Sequence, residues 1–254
     1  MILLHRITPF FMAAFVAAGF SILIFVPSYT TLAMILLFLL PALLFARLLT
    51  WEIKRLSFWI FLCTPMFFVL SSIFLLLFLE QTSVEIILAL VVSLGVWLYA
   101  ENLFSFYHLP SAYQAYALEY LSLAIYLLSS FFFTSGAFAT QLFLQLPAWV
   151  PALAVFWAVL FATTGMFWVS KVAQEISTPF AFIGALILSE FYVVLTFLPT
   201  SFMSNAAIFT VLLYLFLGLS RAHVLEKLSS VVLRRYLLIG SIFLLIVLAT
   251  ARWF

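Results

Sequence analysis

The sequence contains no aspartate, and all eight of its acidic residues are glutamates. Membrane enzymes that transfer prenyl, phosphatidyl or phospho-sugar groups usually hold Mg²⁺ through clusters of aspartates, because this ion needs several short, rigid carboxylates. Metal-dependent transferases of that kind are therefore disfavoured for this chain.

Cysteine, histidine and glycine are also scarce. Cys63 is the single cysteine and lies in an apolar run, so an intramolecular disulfide and a cysteine-based zinc cage are excluded. His5, His108 and His223 are far apart in the chain, which argues against haem or zinc ligation. With only seven glycines, no phosphate loop or dinucleotide-binding fingerprint is present. The sequence thus predicts neither a metal nor a cofactor.

Charge is equally sparse, at 7% of the 254 residues and a net value of +2. Nucleic-acid binding needs a clustered basic face, so nucleic acid is excluded as a partner. Hydrophobic residues make up 68% of the chain, and the mean hydropathy is +1.35. So few charges cannot cover the surface of a water-soluble protein of this size. Most side chains must face lipid, which predicts an integral membrane protein with the bilayer as its first partner.

The apolar runs predict about nine transmembrane helices, since a helix needs roughly twenty apolar residues to cross the hydrocarbon core. The first run follows Arg6 in the order of a signal sequence, but it is long and lacks a clear small-residue cleavage site, so we interpret it as a retained helix. The predicted fold class is all-α, a polytopic transmembrane helix bundle. Its helices are expected at about 7–26, 32–49, 58–79, 84–99, 121–135, 149–168, 179–198, 205–220 and 236–251.

The distribution of basic residues predicts the orientation of this bundle. With a cytoplasmic N-terminus and nine crossings, only Arg252 of the ten basic residues falls outside, as the positive-inside rule expects. The C-terminus then lies outside. The same bias supports the short helix at 205–220, because without it the last basic cluster would be external. We treat residues 1–254 as a single transmembrane domain and expect it in a prokaryotic plasma (inner) membrane.

Glu190 is the most informative single residue of the sequence. It lies near the middle of the predicted seventh helix, beside Ser189 and Tyr192, where an unpaired carboxylate costs several kcal/mol. One interpretation is a candidate substrate- or ion-coupling site that faces the bundle interior. The alternative is a protonated glutamate that hydrogen-bonds to a neighbouring helix and only tightens the packing.

A second polar cluster lies near the predicted cytoplasmic surface. Two carboxylates, a histidine and an amide could provide general acid/base chemistry or bind a lipid head group. No spacing among them matches a catalytic geometry, so we favour an interfacial aromatic belt with hydrated acids. The cluster comprises Glu101, Asn102, His108 and Glu119.

Residues 221–235 are predicted to form an amphipathic helix that lies on the inner membrane surface. Its basic side chains would contact anionic lipid head groups or a cytoplasmic partner, although such a segment also serves simply to anchor the topology. These side chains are Arg221, Lys227, Arg234 and Arg235.

Gln141 and Gln145 are spaced four residues apart at the predicted outer turn between the fifth and sixth helices. They could line an entrance for a solute. A hairpin with solvated amides needs no function, however, and we favour that interpretation.

Two functions from different classes remain open. The first is a transporter or permease-type subunit for a small or amphipathic solute or a lipid, and we place it ahead because multi-pass chains without a soluble domain more often move something. The alternative is a non-transporting scaffold or anchor subunit, whose partners would be other membrane subunits. An enzyme is disfavoured, and a lipid-modifying one would have to use Glu101, His108 and Glu119.

Overall fold

A computed structural model describes the chain apart from Met1, Ser111, Ala112, Ala115, Arg252 and Phe254, and apart from the side chains of residues 2–5. The described residues form nine helices that are long and apolar enough to cross a membrane. The predicted fold class is therefore confirmed. The cytoplasmic location of the N-terminus stays a prediction. Arg252, which is expected outside, is not among the residues that the structure describes. The helices are α1 (Ile2–Phe25), α2 (Pro27–Leu48), α3 (Leu56–Leu76), α4 (Thr82–His108), α5 (Ala117–Leu144), α6 (Trp149–Val169), α7 (Gln174–Leu195), α8 (Phe202–Val224) and α9 (Ser230–Thr250).

Two helices are much longer than predicted. α4 continues to His108 instead of ending near residue 99. α5 runs from Ala117 to Leu144, so it starts before residue 121 and ends after residue 135. Polar side chains in these extensions are satisfied by the backbone of their own helix: Asn102 Nδ2 donates to Leu98 O at 2.8 Å, and Thr140 Oγ1 donates to Ala137 O at 2.8 Å. Ending α4 before Glu101 and α5 at Ser135 was wrong, because helices continue past the hydrocarbon core into the head-group region.

α2 is not a uniform α-helix. It starts with a 3₁₀ turn at Pro27–Tyr29 and widens into a π-helical turn at Ile35–Leu39. Pro41 lies two residues after this turn. Its ring has no N–H to donate and, in a regular α-helix, would clash with the carbonyl four residues earlier. A π-helical turn at this place accommodates the proline without ending the helix.

The chain divides into two compact units, residues 1–125 and 126–254. In the first unit, α1 packs along α4 and against α2, and α3 packs on α4. In the second unit, α6 packs along α7, and α8 packs on both α7 and α9. The description of residues 1–254 as one domain stays a prediction.

Glycines permit the close helix contacts within each unit. In the first unit, a Cβ at Gly95 would lie 2.6 Å from Phe68 Cε1, and one at Gly19 would lie 2.5 Å from Leu37 Cγ. In the second unit, a Cβ at Gly165 would overlap the Tyr126 hydroxyl. Small residues at such contacts let transmembrane helices approach closely.

The segment 221–235 was predicted to be one interfacial helix, and that prediction was wrong. The segment contains the end of α8, a turn and the start of α9. α8 ends at Val224, and Glu226 turns the chain with a left-handed φ of 55°. Lys227 N–H donates to Ala222 O at 2.9 Å, which satisfies a carbonyl in the last turn of α8. Ser229 then caps α9, since its side chain accepts a hydrogen bond from the Val232 N–H.

The alternating topology predicts that Glu80 and Lys227 lie on opposite sides of the membrane. Both side chains are exposed in turns, Glu80 between α3 and α4 and Lys227 between α8 and α9. In a Cys63→Ala background, we expect a membrane-impermeant maleimide to label Glu80→Cys in intact cells. Lys227→Cys should be labelled only after permeabilisation. Labelling of both or neither in intact cells would contradict the nine-crossing topology, and the reverse pattern would place the N-terminus outside.

Candidate functional site

Glu190 does not face the other helices that pack on α7, so the expected position inside the bundle was wrong. Its side chain is exposed, whereas the buried face of α7 follows a helical spacing through Ala181, Leu188 and Leu195. α7 also begins at Gln174, five residues before the predicted start. Glu190 therefore lies five residues before the end of α7, about 7 Å along the axis, where a long side chain can extend toward the interface.

Tyr192 is not brought together with Glu190, whereas Ser189 lines the same open groove between α6 and α7 as Glu190 does. The Ser189 Oγ donates to Leu186 O at 2.8 Å, so its hydroxyl is used within α7. Tyr192 is fully buried on another face of the helix, and its ring stacks on Phe138 with a centroid separation of 4.3 Å. The three residues therefore do not all meet at one place, and any role of each stays a prediction.

The predicted cytoplasmic cluster lies in the first unit, among aromatic rings. Glu119 is buried in the first turn of α5, where the positive end of the helix dipole favours a carboxylate. The His108 ring lies 5.3 Å from that of Phe104, while Glu101 and Asn102 are half-buried. This aromatic environment is the one expected of an interfacial belt.

The four basic residues near the second unit's turn occupy different settings. Arg221 is half-buried in the last turn of α8, where a cation interacts favourably with the helix dipole. Lys227, Arg234 and Arg235 are exposed. Since α8 and α9 run in opposite directions, all four lie near the same end of this hairpin. Their contact with anionic lipid stays a prediction.

A polar concave site of the second unit lies at the other end of α8. It is a half-open cavity of about 390 Å³ lined by the last turns of α5, the segment between α7 and α8, and the first turn of α8. We call it the Gln141 cavity. Gln141 belongs to α5, so the prediction that it lies in a turn between two helices was wrong. Gln145 follows the end of α5 and has a left-handed φ of 52°. The lining residues are Phe138, Gln141, Leu142, Thr196, Leu198, Pro199, Thr200, Phe202 and Asn205.

Two amide side chains give this cavity its hydrogen-bonding capacity. The Gln141 Oε1 atom is buried and has no hydrogen-bond partner among the residues that the structure describes. Asn205 is only 5% exposed, and its Oδ1 accepts a hydrogen bond of 2.5 Å from Thr200 Oγ1. That bond orients the Asn205 amide and leaves its N–H groups to donate. The cavity is thus lined by uncharged donor and acceptor side chains, although the Gln141 Oε1 atom itself is covered.

Two interactions hold the segment between α7 and α8, which forms one wall of the cavity. Ser201 caps α8 by accepting the Ser204 N–H at 3.2 Å. The backbone of Thr200 pairs with that of Trp253 in an isolated antiparallel bridge. Sequence reasoning missed Thr200 and Asn205, although an amide following a proline and a serine cap is a recognisable signal of a polar helix start.

No known family matches this chain, and neither a curated protein nor a solved structure is similar to it. The nine apolar helices make it a multi-pass integral membrane protein. A more specific function has to be inferred from its own side chains, of which those of the Gln141 cavity have the clearest capacity to bind a ligand.

Proposed function

We propose that this multi-pass membrane protein is a transporter or permease-type subunit that takes up a small polar solute through the Gln141 cavity. The observation that carries the proposal is the Gln141 Oε1 atom, which is buried in the cavity wall without a hydrogen-bond partner. After a rotation of the Gln141 side chain toward the cavity, a bound solute that donates a hydrogen bond would satisfy this atom.

An unsatisfied buried carbonyl is costly for folding. Leaving it unpaired costs about 1–3 kcal/mol, and an apolar side chain of similar shape would avoid that cost. A chain that used this region only for packing would gain stability from leucine or methionine at position 141. The glutamine therefore supports a binding role more than a structural one.

The lining also suggests the class of solute. Among the lining residues that the structure describes, the polar side chains are two amides and the hydroxyls of Thr196 and Thr200, and none of these residues is charged. Burying a net charge without a counter-ion is unfavourable, so a neutral or zwitterionic solute fits better than an ion. A volume of about 390 Å³ is at the small end of the range of ligand pockets, which matches a small solute.

A thiol at Thr196 provides the direct test. The Thr196 Oγ1 donates only to Val193 O within α7, so cysteine should be tolerated there. We would reconstitute Cys63→Ala/Thr196→Cys in vesicles and follow uptake of radiolabelled sugars, nucleosides and neutral amino acids. At least one solute should enter faster than into protein-free vesicles, and a bulky impermeant thiol reagent should block that uptake.

Glu80→Cys in the same background is the matched control, because its exposed thiol lies in the first unit and outside the cavity. Its modification should leave uptake unchanged. If no solute enters faster than into protein-free vesicles, or if modification at Thr196 does not reduce uptake, the transport proposal fails and the scaffold alternative gains support.

A further inference from the structure

A second concave surface of the second unit lies between α6 and α7, on their lipid-facing side. It is an open groove of about 470 Å³ that contains the Glu190 carboxylate and is otherwise mostly apolar. We call it the Glu190 groove. Trp149 lies at one end of the groove. Phe156 and Phe182 line it farther from that end, and their rings meet edge to face with centroids 5.6 Å apart.

A glutamate on such an apolar surface is energetically unfavourable unless a ligand or partner interacts with its carboxylate. A carboxylate at the edge of the hydrocarbon region is costly even near the end of a transmembrane helix. The described residues that line the groove include no basic side chain. A cationic hydrogen-bond donor that arrives from the surrounding membrane would remove the cost, because charge-assisted hydrogen bonds are about twice as strong as neutral ones.

The shape of the groove fits an extended hydrocarbon chain below that donor. The lining residues of α7 run from Val193 to Phe182, which is about 16 Å along the helix axis. Leu186 and Phe182 continue the groove away from Glu190 with apolar side chains. Trp149 is 68% exposed at the first residue of α6, and exposed indoles commonly mark the head-group level of a bilayer. The carboxylate therefore lies near the level of lipid head groups, with the apolar part of the groove below it.

We propose that the Glu190 groove binds an aminolipid, with the primary ammonium of its head group on the Glu190 carboxylate and an acyl chain along Leu186 and Phe182. The inference is independent of the Gln141 cavity and of transport. A partner transmembrane helix with a lysine is the competing occupant. Helix–helix contacts in membranes favour small residues, whereas Trp149, Phe156 and Phe182 are bulky, so the lipid is the better fit.

Quenching of Trp149 by brominated lipids tests this assignment. The protein would be reconstituted in phosphatidylcholine vesicles that contain equal fractions of acyl-brominated phosphatidylethanolamine, phosphatidylcholine or phosphatidylglycerol. Subtracting the emission of Trp149→Phe from that of the wild type isolates the signal of Trp149. We expect brominated phosphatidylethanolamine to reach half-maximal quenching at a mole fraction at least twofold lower than that of the other two lipids.

Glu190→Gln should abolish this preference while leaving the folded protein intact, because the side chain is exposed. Glu175→Gln is the matched control, since Glu175 is an exposed carboxylate in the first turn of the same helix. The preference should survive there. Equal quenching by the three lipids, or a preference that persists in Glu190→Gln, would overturn the proposal. Absence of quenching by any of them would show that a protein partner covers the groove, which also overturns it.

Discussion

Gln141→Leu is expected to lower solute uptake about tenfold while leaving thermal stability unchanged or slightly higher. A tenfold loss corresponds to about 1.4 kcal/mol, within the range of one buried hydrogen bond between protein and solute. Stability should not fall, because leucine has a similar volume and removes a buried Oε1 atom that has no partner in the described structure. The measurements are uptake into vesicles and the melting temperature in detergent.

Gln145→Leu is the matched control for this prediction. Gln145 lies just past the end of α5, is exposed and is not among the residues that line the cavity. Its substitution should leave uptake within about twofold of the wild type, as expected for a surface residue without a role in binding. If Gln141→Leu and Gln145→Leu transport equally well, the buried amide has no part in solute binding. A marked loss of stability in Gln141→Leu would show instead that the amide is structural.

Gly165→Ala is expected to lower the melting temperature of the detergent-solubilised protein by roughly 5 °C. The added methyl group would overlap the Tyr126 hydroxyl and approach Cζ of the same ring at 2.6 Å. Both residues are buried, so the ring or the helix has to move. Overpacking of this kind costs about 1–3 kcal/mol, and each kcal/mol is worth about 2–4 °C in a protein of this size.

A double-mutant cycle with Tyr126→Phe tests the cause of that loss. Tyr126→Phe removes the hydroxyl, which is the atom nearest to the added methyl group, but it keeps the ring. The double variant should therefore lose less stability than the sum of the two single variants. Strict additivity would show that the methyl group at position 165 is accommodated without pressing on Tyr126.

The number and type of the helices could be predicted from the sequence because the thickness of the hydrocarbon core sets how many apolar residues a crossing needs. The ends of the helices could not, as α4 and α5 show. Their polar end turns are compatible with helix in the head-group region, and the identity of a polar residue does not reveal whether it continues a helix or ends one.

The direction in which Glu190 faces could not be predicted from the hydrophobicity pattern. α7 carries apolar residues on nearly every side, so hydrophobicity does not distinguish its buried face from its lipid-facing one. The small residues Ala181, Gly184 and Ala185 mark the buried face better than any polar residue does. Close packing of helices selects for size, and this signal would have placed Glu190 on the exposed side.

The Gln141 cavity was only partly predictable. The two glutamines near the outer turn could be noticed as a pair, but the pairing of Gln141 with Asn205 and Thr200 depends on how α5 and α8 meet in the second unit. Likewise, nothing in the sequence marked the turn at Glu226, because left-handed turns usually contain glycine and this chain places six of its glycines against side chains of other helices.

The bridge between Thr200 and Trp253 has a practical consequence for producing the protein. It ties the last residues of the sequence to the wall of the Gln141 cavity, and the Trp253 indole also donates to Leu248 O at 3.3 Å. We expect an affinity tag or fluorescent fusion joined close to Trp253 to perturb this bridge and, with it, the cavity wall. A preparation tagged there would be a poor reference for solute uptake.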